Sequence, residues 1–225
     1  MIIGGIIAVV PALVLLALII RQDNLEPEPC HLLLRALGLG FVAAFLALLG
    51  EFHVNMITLT DVFSSSWILL IDNYLNVAFI EEIFKWLVIF MMLYHLPDFD
   101  YRFDGIVYAV CVTIGFAIVE NLFYVSLYGW TTGILRGFTS VMGHGIFGIV
   151  MGYLLGLAKS RHVKKQKYRL LLGLSILIPT LIHGTYDYLL ALKNVKIFLV
   201  YIVVLDILAL ILVNFASVKD KSIYK

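Results

Sequence analysis

The stretch Val77–Phe90 reads VAFIEEIFKWLVIF and sets two adjacent glutamates, Glu81 and Glu82, inside an otherwise apolar run, with Lys85 one turn later. Ionisable side chains are costly in lipid, so membrane-spanning segments carry them where they face a protein interior or a water-filled cavity. The stretch therefore predicts a membrane-spanning helix that belongs to a bundle with a polar interior.

The composition of the whole chain agrees with this prediction. Of its 225 residues, 62% are hydrophobic and only 14% are charged, and the mean hydropathy is +1.02. A soluble domain of this size does not need so much apolar surface. The net charge of +1 gives no indication of a nucleic-acid partner, and we expect the lipid bilayer to surround the chain.

Apolar segments long enough to cross a bilayer follow one another along the chain, since a span needs about 20 such residues. We predict an all-α bundle of about seven transmembrane spans that forms one membrane-embedded domain over residues 1–225, with a functional core over 67–192 and no separate soluble domain. The segments are Ile2–Ile20, Leu32–Leu49, Trp67–Leu93, Phe103–Leu127, Gly133–Ala158, Leu170–Leu192 and Ile197–Phe215, and the longest loops are Arg21–His31, Gly50–Ser66 and Tyr94–Arg102.

Basic residues in short loops predict the orientation of the bundle. The loop between the fifth and sixth segments is rich in lysine and arginine, so we expect it to be cytoplasmic. Counting the spans outward from this loop places the carboxyl terminus in the cytoplasm and the amino terminus outside. Lys193 and Lys196 fall on the outside in this arrangement, but they are outnumbered.

Three later segments carry further polar side chains within apolar runs. The fourth contains Glu120 and Asn121, the fifth contains His144, and the sixth contains His183 with Asp187 one turn later. At a rise of 1.5 Å per residue, Glu120, His144 and His183 lie about 12 to 16 Å from the outer ends of their helices. Glu81 reaches a similar depth if the polar start of its helix is not buried, so we expect one pocket in the outer half of the bilayer.

This set of carboxylates and imidazoles suits two chemistries. A zinc-type catalytic site needs nitrogen and oxygen ligands, for which Glu82, Glu120, His144 and His183 are candidates, and an acid to activate water. Alternatively, a carboxylate and a histidine activate water without a metal, while His183 stabilises the oxyanion. The residues alone do not separate these mechanisms.

Structural roles compete with these functional ones. Lys85 lies within reach of both Glu81 and Glu82, and such an ion pair can simply fix helix packing. Asn121 is expected to form an interhelical hydrogen bond, and Glu120 has no obvious partner in its own segment. Arg136 is expected to extend to the outer interface.

Glycines in the fifth segment indicate close helix packing. Gly148 and Gly152 follow His144 at intervals of four residues, and small residues at this spacing let a neighbouring helix approach. We therefore expect His144 to be pressed against a partner helix.

Three motifs of the chain resemble those of the PrsW family of intramembrane proteases, which is related to the superfamily of CAAX-prenyl proteases and bacteriocin-processing proteins. They are EExxK at Glu81–Lys85, FxxxEN at Phe116–Asn121 and HxxxD at His183–Asp187. The likeness extends from Pro29 to Leu190 in the family's order and spacing.

The resemblance implies a protease of the bacterial plasma membrane that makes the first, extracytoplasmic cut in a single-pass anti-sigma factor during an envelope-stress response. It implies that Glu81, Glu82 and His183 are essential, with Lys85, Glu120, Asn121, His144 and Asp187 in supporting or ligand roles. It also implies a divalent metal ion.

Two other functions fit a bundle with buried acids. A proton- or cation-coupled transporter also uses acid and histidine relays, although the sequence has no inverted repeat. A non-catalytic membrane scaffold would use the glycine stripe to pack partner helices.

Overall fold

The computed structural model describes residues 2–23, 25–55 and 65–224, and the regular secondary structure of these residues is helical. The all-α prediction is confirmed. The helices are α1 (Ile2–Ile20), α2 (Cys30–Asn55), α3 (Ser65–Ile71), a π-helical segment (Asp72–Phe79), α4 (Ile80–Met92), α5 (Asp104–Tyr128), α6 (Trp130–Phe138), α7 (Ser140–Val163), α8 (Arg169–Ala191) and α9 (Val195–Val218).

Helix α5 lies at the centre of the bundle. It packs against α1, α2, α4, α6 and α7, and every residue from Asp104 to Ile118 is buried. Its apolar residues surround the helix rather than forming one stripe, which is the pattern of a helix with protein on all sides. This part of α5 therefore faces other helices, whereas Leu122, Phe123, Leu127 and Tyr128 near its carboxyl end are exposed.

Glycines let two helices approach α5 at backbone distance. A Cβ atom on Gly105 would overlap the carbonyl oxygen of Gly152 in α7, and one on Gly115 would overlap the carbonyl oxygen of Leu37 in α2. The expected close approach of the fifth segment is thus observed, and α5 is its partner helix. Tight packing on both sides fixes the depth of α5 relative to its neighbours.

The third predicted span is continuous but not a uniform α-helix. Its first part, Ser65–Ile71, leads into the π-helical segment before α4 begins at Ile80. The amide of Asn73 donates to the carbonyl oxygen of Leu69 at 2.6 Å, and a side chain that bonds this backbone carbonyl competes with the regular hydrogen-bond ladder. The wider turns set the rotation at which α4 presents its charged residues.

The fifth predicted span, Gly133–Ala158, lies within the apolar helical stretch Trp130–Val163, but a bend interrupts this stretch. The chain bends at Thr139, which separates α6 from α7 and has φ −118° and ψ −62°. The Thr139 hydroxyl donates to the carbonyl oxygen of Leu135 at 3.0 Å, a contact that bends helices. His144 is therefore in the second turn of α7 and not deep within a long helix.

The predicted loop Gly50–Ser66 is also partly wrong, because α2 continues to Asn55. The rest of that loop, 56–64, lies outside the described residues.

Five helical stretches are long and apolar enough to cross a membrane within the part of the chain that the structure describes. They are Cys30–Phe52, Asp104–Tyr128, Trp130–Val163, Arg169–Ala191 and Val195–Val218, and Val9–Ile20 is a shorter apolar helix. The third predicted span is absent from this set, and Asp72, Glu81, Glu82 and Lys85 make it more polar than the five stretches. The protein is thus a helical membrane bundle.

Candidate functional site

A cavity of about 400 Å³ opens at one end of the bundle between α2, the π-helical segment, α4, α5, α6, α7 and α8. The carboxylate, guanidinium and imidazole side chains that line it are Glu51, Glu81, Glu120, Arg136, His144, His183 and Asp187. Glu82 and Lys85 lie directly behind this lining and are fully buried. The structure therefore brings the polar residues of four predicted spans into one site.

Lys85 is at the centre of the site. Its ammonium nitrogen lies 2.9 Å from Glu81 Oε2, 2.8 Å from Glu82 Oε1 and 3.2 Å from His144 Nδ1. An ammonium group has three donors, and these three acceptors use all of them. The sequence placed Lys85 within reach of both glutamates, and it binds both.

The tautomer of His144 follows from these contacts. Lys85 can only donate, so His144 Nδ1 must accept, and the proton of a neutral ring is then on Nε2. That nitrogen lies 2.8 Å from Glu120 Oε2. His144 is thereby held in one orientation between a cation and an anion.

Glu120 is not the unpaired acid that the sequence suggested. Arg136 Nη2 lies 2.8 Å from Glu120 Oε1, and Arg136 also donates to Asn121 Oδ1 at 2.9 Å and to Ser140 Oγ at 2.8 Å. The expectation that Arg136 extends to the outer interface is therefore wrong. Asn121 does join two helices, as expected.

His183 connects the glutamate pair to the cavity. Its Nδ1 donates to Glu82 Oε1 at 2.9 Å, while its Nε2 lies 3.2 Å from Asp187 Oδ2 and 3.9 Å from Glu81 Oε2. Phe147 stacks on the ring with centroids 4.4 Å apart. Two carboxylates thus face His183 Nε2, and a bare lone pair there would be repelled, so a proton or a metal ion is needed between them.

The donor set also fits a metal ion. Glu81, Glu82 and His183 each offer a ligand atom, and these atoms lie within 4.8 Å of one another. Glu82 Oε2 is buried without a hydrogen-bond partner among the described residues. Two carboxylates and one imidazole match the ligands of catalytic zinc sites, in which a fourth position stays open.

The predicted ligand set differs from this triad. Glu82 and His183 belong to it, but Glu120 and His144 form their own pair on the far side of Lys85. In the observed triad, the third ligand is Glu81 instead of Glu120 or His144, because α4 turns both of its glutamates toward α8.

Glu51 is an acidic residue of the cavity that was not among the candidate site residues expected from the sequence. It lines the cavity near Glu81 and Glu120, and no hydrogen bond or ion pair to its carboxylate is found among the described residues. Glu51 fell in a predicted loop, although the apolar Phe52 and Val54 that follow indicate that the helix continues.

Sequence comparison identifies the family to which this site belongs. The profile of the PrsW family of intramembrane metalloproteases matches residues 28–213. The chain is a member of this family. All the residues of the site described above fall within the matched range.

Individual relatives agree with this assignment. The chain is similar to Protease PrsW of Oceanobacillus iheyensis, with 36% identity over 81% of this chain and 80% of the relative. It is 32% identical to Protease PrsW of Bacillus subtilis, over 83% and 82% of the two chains, and 28% identical to that of Clostridioides difficile, over 89% and 85%. No solved structure matches the chain.

Membership of the family makes this protein a membrane-embedded protease of the metalloprotease type. The buried triad Glu81, Glu82 and His183 supplies a place where its metal ion could bind. The expectation of a membrane protease, which the resemblance to this family implied, is confirmed.

Proposed function

We propose that the protein hydrolyses a peptide bond of a single-pass membrane protein near the extracytoplasmic face, and that this substrate is an anti-sigma factor in a stress response. The observation that supports the reaction is the position of Glu81, Glu82 and His183 at the wall of a cavity large enough for water and an extended peptide. The similarity to relatives named Protease PrsW supports a membrane protein as the substrate. The anti-sigma factor is the further step of this proposal.

Glu81, Glu82 and His183 form the catalytic centre in this proposal. A divalent ion held by these three residues would supply a Lewis acid at the scissile carbonyl group. Lys85 balances the charge of both glutamates, and Glu82 fixes the His183 ring through Nδ1. These contacts keep the centre ordered before substrate arrives, which lowers the cost of reaching the transition state.

Asp187 is the base of the reaction. Its carboxylate lines the cavity, and its Oδ2 lies 3.2 Å from His183 Nε2. A water molecule bound in the cavity beside this pair would attack the scissile carbonyl group and give its proton to Asp187, which would return the proton to the leaving amine. The opposite wall of the cavity consists of Glu120, Arg136 and His144. Because these side chains pair with one another, they leave space for the peptide on that side.

The distribution of basic residues supports a position of this site toward the outside. The basic loop after α7 is cytoplasmic by the positive-inside rule, and the cavity lies at the other end of α7. The amino terminus is then outside and the carboxyl terminus inside, in the plasma membrane of a bacterium.

Co-expression with a tagged single-pass anti-sigma factor tests the reaction. Glu81→Gln, Glu82→Gln, His183→Ala and Asp187→Asn are each expected to abolish cleavage at normal membrane levels. Asp206→Asn is the matched control, because Asp206 lies in α9 and does not line the cavity. Cleavage that persists in the first three variants would reject this catalytic centre, and loss of cleavage in the control would point to a general folding defect.

Metal analysis of the purified protein tests the ligand set. We expect about one divalent ion per chain, removed by a strong chelator together with activity and restored by zinc. Glu82→Gln and His183→Ala should not retain the ion, whereas Glu120→Gln should. An ion that stays bound in His183→Ala would contradict the triad.

A further inference from the structure

The cavity has a cation in its wall that the catalytic centre proposed above does not use. Among the described residues that line the cavity, this cation, Arg136, is the only arginine or lysine, and the acids are Glu51, Glu81, Glu120 and Asp187. Hydrolysis of a peptide bond passes through a tetrahedral intermediate whose carbonyl oxygen becomes negative. Acids around that oxygen oppose its charge, so the cation in the wall is the protein group suited to stabilise it.

One side of the Arg136 guanidinium group is held firmly by two helices. Its Nε donates to Asn121 Oδ1 in α5 at 2.9 Å, and its Nη2 donates to Ser140 Oγ in α7 at 2.8 Å. Nη2 also lies 2.8 Å from Glu120 Oε1. The plane of the guanidinium group cannot turn without breaking these contacts, so its orientation is fixed before a substrate arrives.

The other terminal nitrogen of Arg136, Nη1, is open to the cavity. It has no hydrogen-bond partner among the described residues, yet it is not enclosed by protein. The Arg136 side chain as a whole is 17% exposed. Two of the five N–H donors of a guanidinium group are on this nitrogen, and they are therefore available to a ligand in the cavity.

Tyr124 supplies a second available donor beside Arg136. The guanidinium carbon lies 3.9 Å from the centre of the Tyr124 ring, and both side chains line the cavity. The Tyr124 hydroxyl also has no hydrogen-bond partner among the described residues and is not enclosed. Tyr124 lies close enough to Glu81 and Asp187 to interact with their charges, so this donor is near the catalytic centre.

A continuous wall joins Arg136 to the catalytic centre. Glu120 bridges Arg136 and His144, and its Oε2 lies 2.8 Å from His144 Nε2. The His144 ring in turn packs against the ring of His183, with centroids 5.4 Å apart. A peptide that reaches His183 from the cavity therefore passes Arg136.

We propose that Arg136 is a catalytic residue, whose Nη1 donates, together with the Tyr124 hydroxyl, to the oxygen of the scissile carbonyl group as this oxygen becomes negative. This role rests on the proposed catalytic centre of Glu81, Glu82 and His183. Arg136 adds a fixed positive charge from the side of the cavity opposite that centre.

The proposed step keeps all protons on Arg136. Attack of water forms a carbon–oxygen bond and moves the electron pair of the carbonyl group onto its oxygen, which Arg136 and Tyr124 then bind. Collapse of the intermediate returns this electron pair and breaks the carbon–nitrogen bond, while Asp187 gives the water's proton to the leaving amine. An arginine does not lose its proton in proteins, so Arg136 acts through charge and hydrogen bonds alone.

The charge of the oxygen determines which kinetic constant should change. Hydrogen bonds to an ionised acceptor are roughly twice as strong as those to a neutral one, so Arg136 binds the transition state more tightly than the substrate. Interactions of this kind raise kcat rather than lower KM. Loss of one donor to such an oxygen typically lowers kcat by about 100-fold to 1000-fold.

Kinetics of the zinc-loaded protein in nanodiscs test this role, with a fluorogenic peptide that spans the cleavage site found by co-expression. Arg136→Lys keeps a positive charge beside Glu120 but loses the second amino group, so kcat should fall about 100-fold and KM should change less than about threefold. Tyr124→Phe leaves the Arg136–Glu120 pair intact and should lower kcat about tenfold. Arg161→Lys, at an exposed position of α7, is the matched control and should behave as the wild type.

A transition-state analogue separates this role from a structural one. The phosphinic form of the same peptide carries a negative tetrahedral centre, so its Ki in Arg136→Lys should rise by the factor by which kcat/KM falls. The Kd of the unmodified peptide, measured with the zinc-free protein, should stay within about threefold of the wild type. A general distortion of the cavity would instead weaken both ligands by the same factor.

Two results would overturn the role of Arg136 while leaving the catalytic centre in place. They are wild-type kcat in both Arg136→Lys and Tyr124→Phe, and an equal loss of affinity for the phosphinic and the unmodified peptide. Cleavage that survives the loss of Glu81, Glu82 and His183 would reject the catalytic centre itself, and the role of Arg136 with it.

Discussion

At the scale of single residues, the site is a chain of paired charges in which each member fixes the next. Lys85 holds Glu81, Glu82 and His144 through its three donors, and Arg136 holds Glu120 from the other side. Buried ion pairs of this kind contribute little net stability, yet losing one partner leaves a buried charge uncompensated. Removing either base should therefore cost more than removing one acid.

Lys85→Met is expected to lower the free energy of unfolding by about 3 kcal/mol, because it leaves two buried carboxylates facing each other without a counter-charge. Thermal unfolding in nanodiscs measures this loss. Adding Glu82→Gln to Lys85→Met should recover part of it, and the exposed Lys196→Met is the control with no effect. Equal stability of Lys85→Met and the wild type would show that the ammonium group does not compensate these acids.

Glu51→Gln is expected to change substrate preference rather than the chemical step. The Glu51 carboxylate faces the cavity without a described partner, so it is suited to a basic residue near the cleaved bond. We expect KM to rise about tenfold for a peptide with lysine or arginine there and kcat to stay unchanged. Steady-state kinetics should give no change for a matched peptide with a neutral residue, and a fall in kcat for both peptides would contradict this role.

At the scale of helices, irregular turns decide which side chains meet. The π-helical segment (Asp72–Phe79) precedes the glutamate pair on α4, and the bend at Thr139 precedes His144 on α7. Departures from regular α-helix are frequent at functional sites because they re-aim side chains. Close contact of α5 with α7 then brings Glu120 and His144 within hydrogen-bond distance.

Gly105→Ala tests the importance of this close contact. Its Cβ would overlap the backbone carbonyl oxygen of Gly152, and backbone cannot move aside as a side chain can, so we expect a loss of about 1 to 3 kcal/mol in stability. Gly173→Ala is the matched control, because nothing lies within 4 Å of its Cβ position. It should be neutral or stabilising by up to about 1 kcal/mol. Similar Tm values for the two variants would contradict close packing at Gly105.

At the scale of the whole molecule, the central α5 joins two polar regions that the bilayer would separate. Asp104 lies in its first turn beside the acidic α4–α5 loop, and Glu120, which lines the cavity, lies eight residues before its end. Between them, from Gly105 to Ile118, α5 is buried among other helices. Each region can therefore hold charge although the surface of the bundle is apolar.

The proposed orientation predicts which loops a membrane-impermeant maleimide can reach. In a background with Cys30 replaced by serine, Lys167→Cys should react only after the cells are permeabilised, because its loop is cytoplasmic. Val195→Cys, at the first residue of α9, should react in intact cells. The reverse pattern would invert the topology and place the cavity on the cytoplasmic side.

The sequence by itself determined the membrane bundle, the family and most of the site. Continuous apolar runs fix spanning helices, since backbone groups in lipid must be satisfied within the helix, and isolated acids and histidines in such runs mark a polar interior. These inferences depend only on residue type and position along the chain.

Tertiary structure alone decided how these residues pair. Arg136 forms an ion pair with Glu120, and Lys85 binds both Glu81 and Glu82. Glu81 also lies beside Glu82 and His183 in the triad. Glu51 lines the cavity. Such partners lie on different helices, and their distances depend on helix rotation, which the π-helical turns and the bend at Thr139 change. One residue rotates an α-helix by about 100°, so periodicity in the sequence cannot fix these contacts.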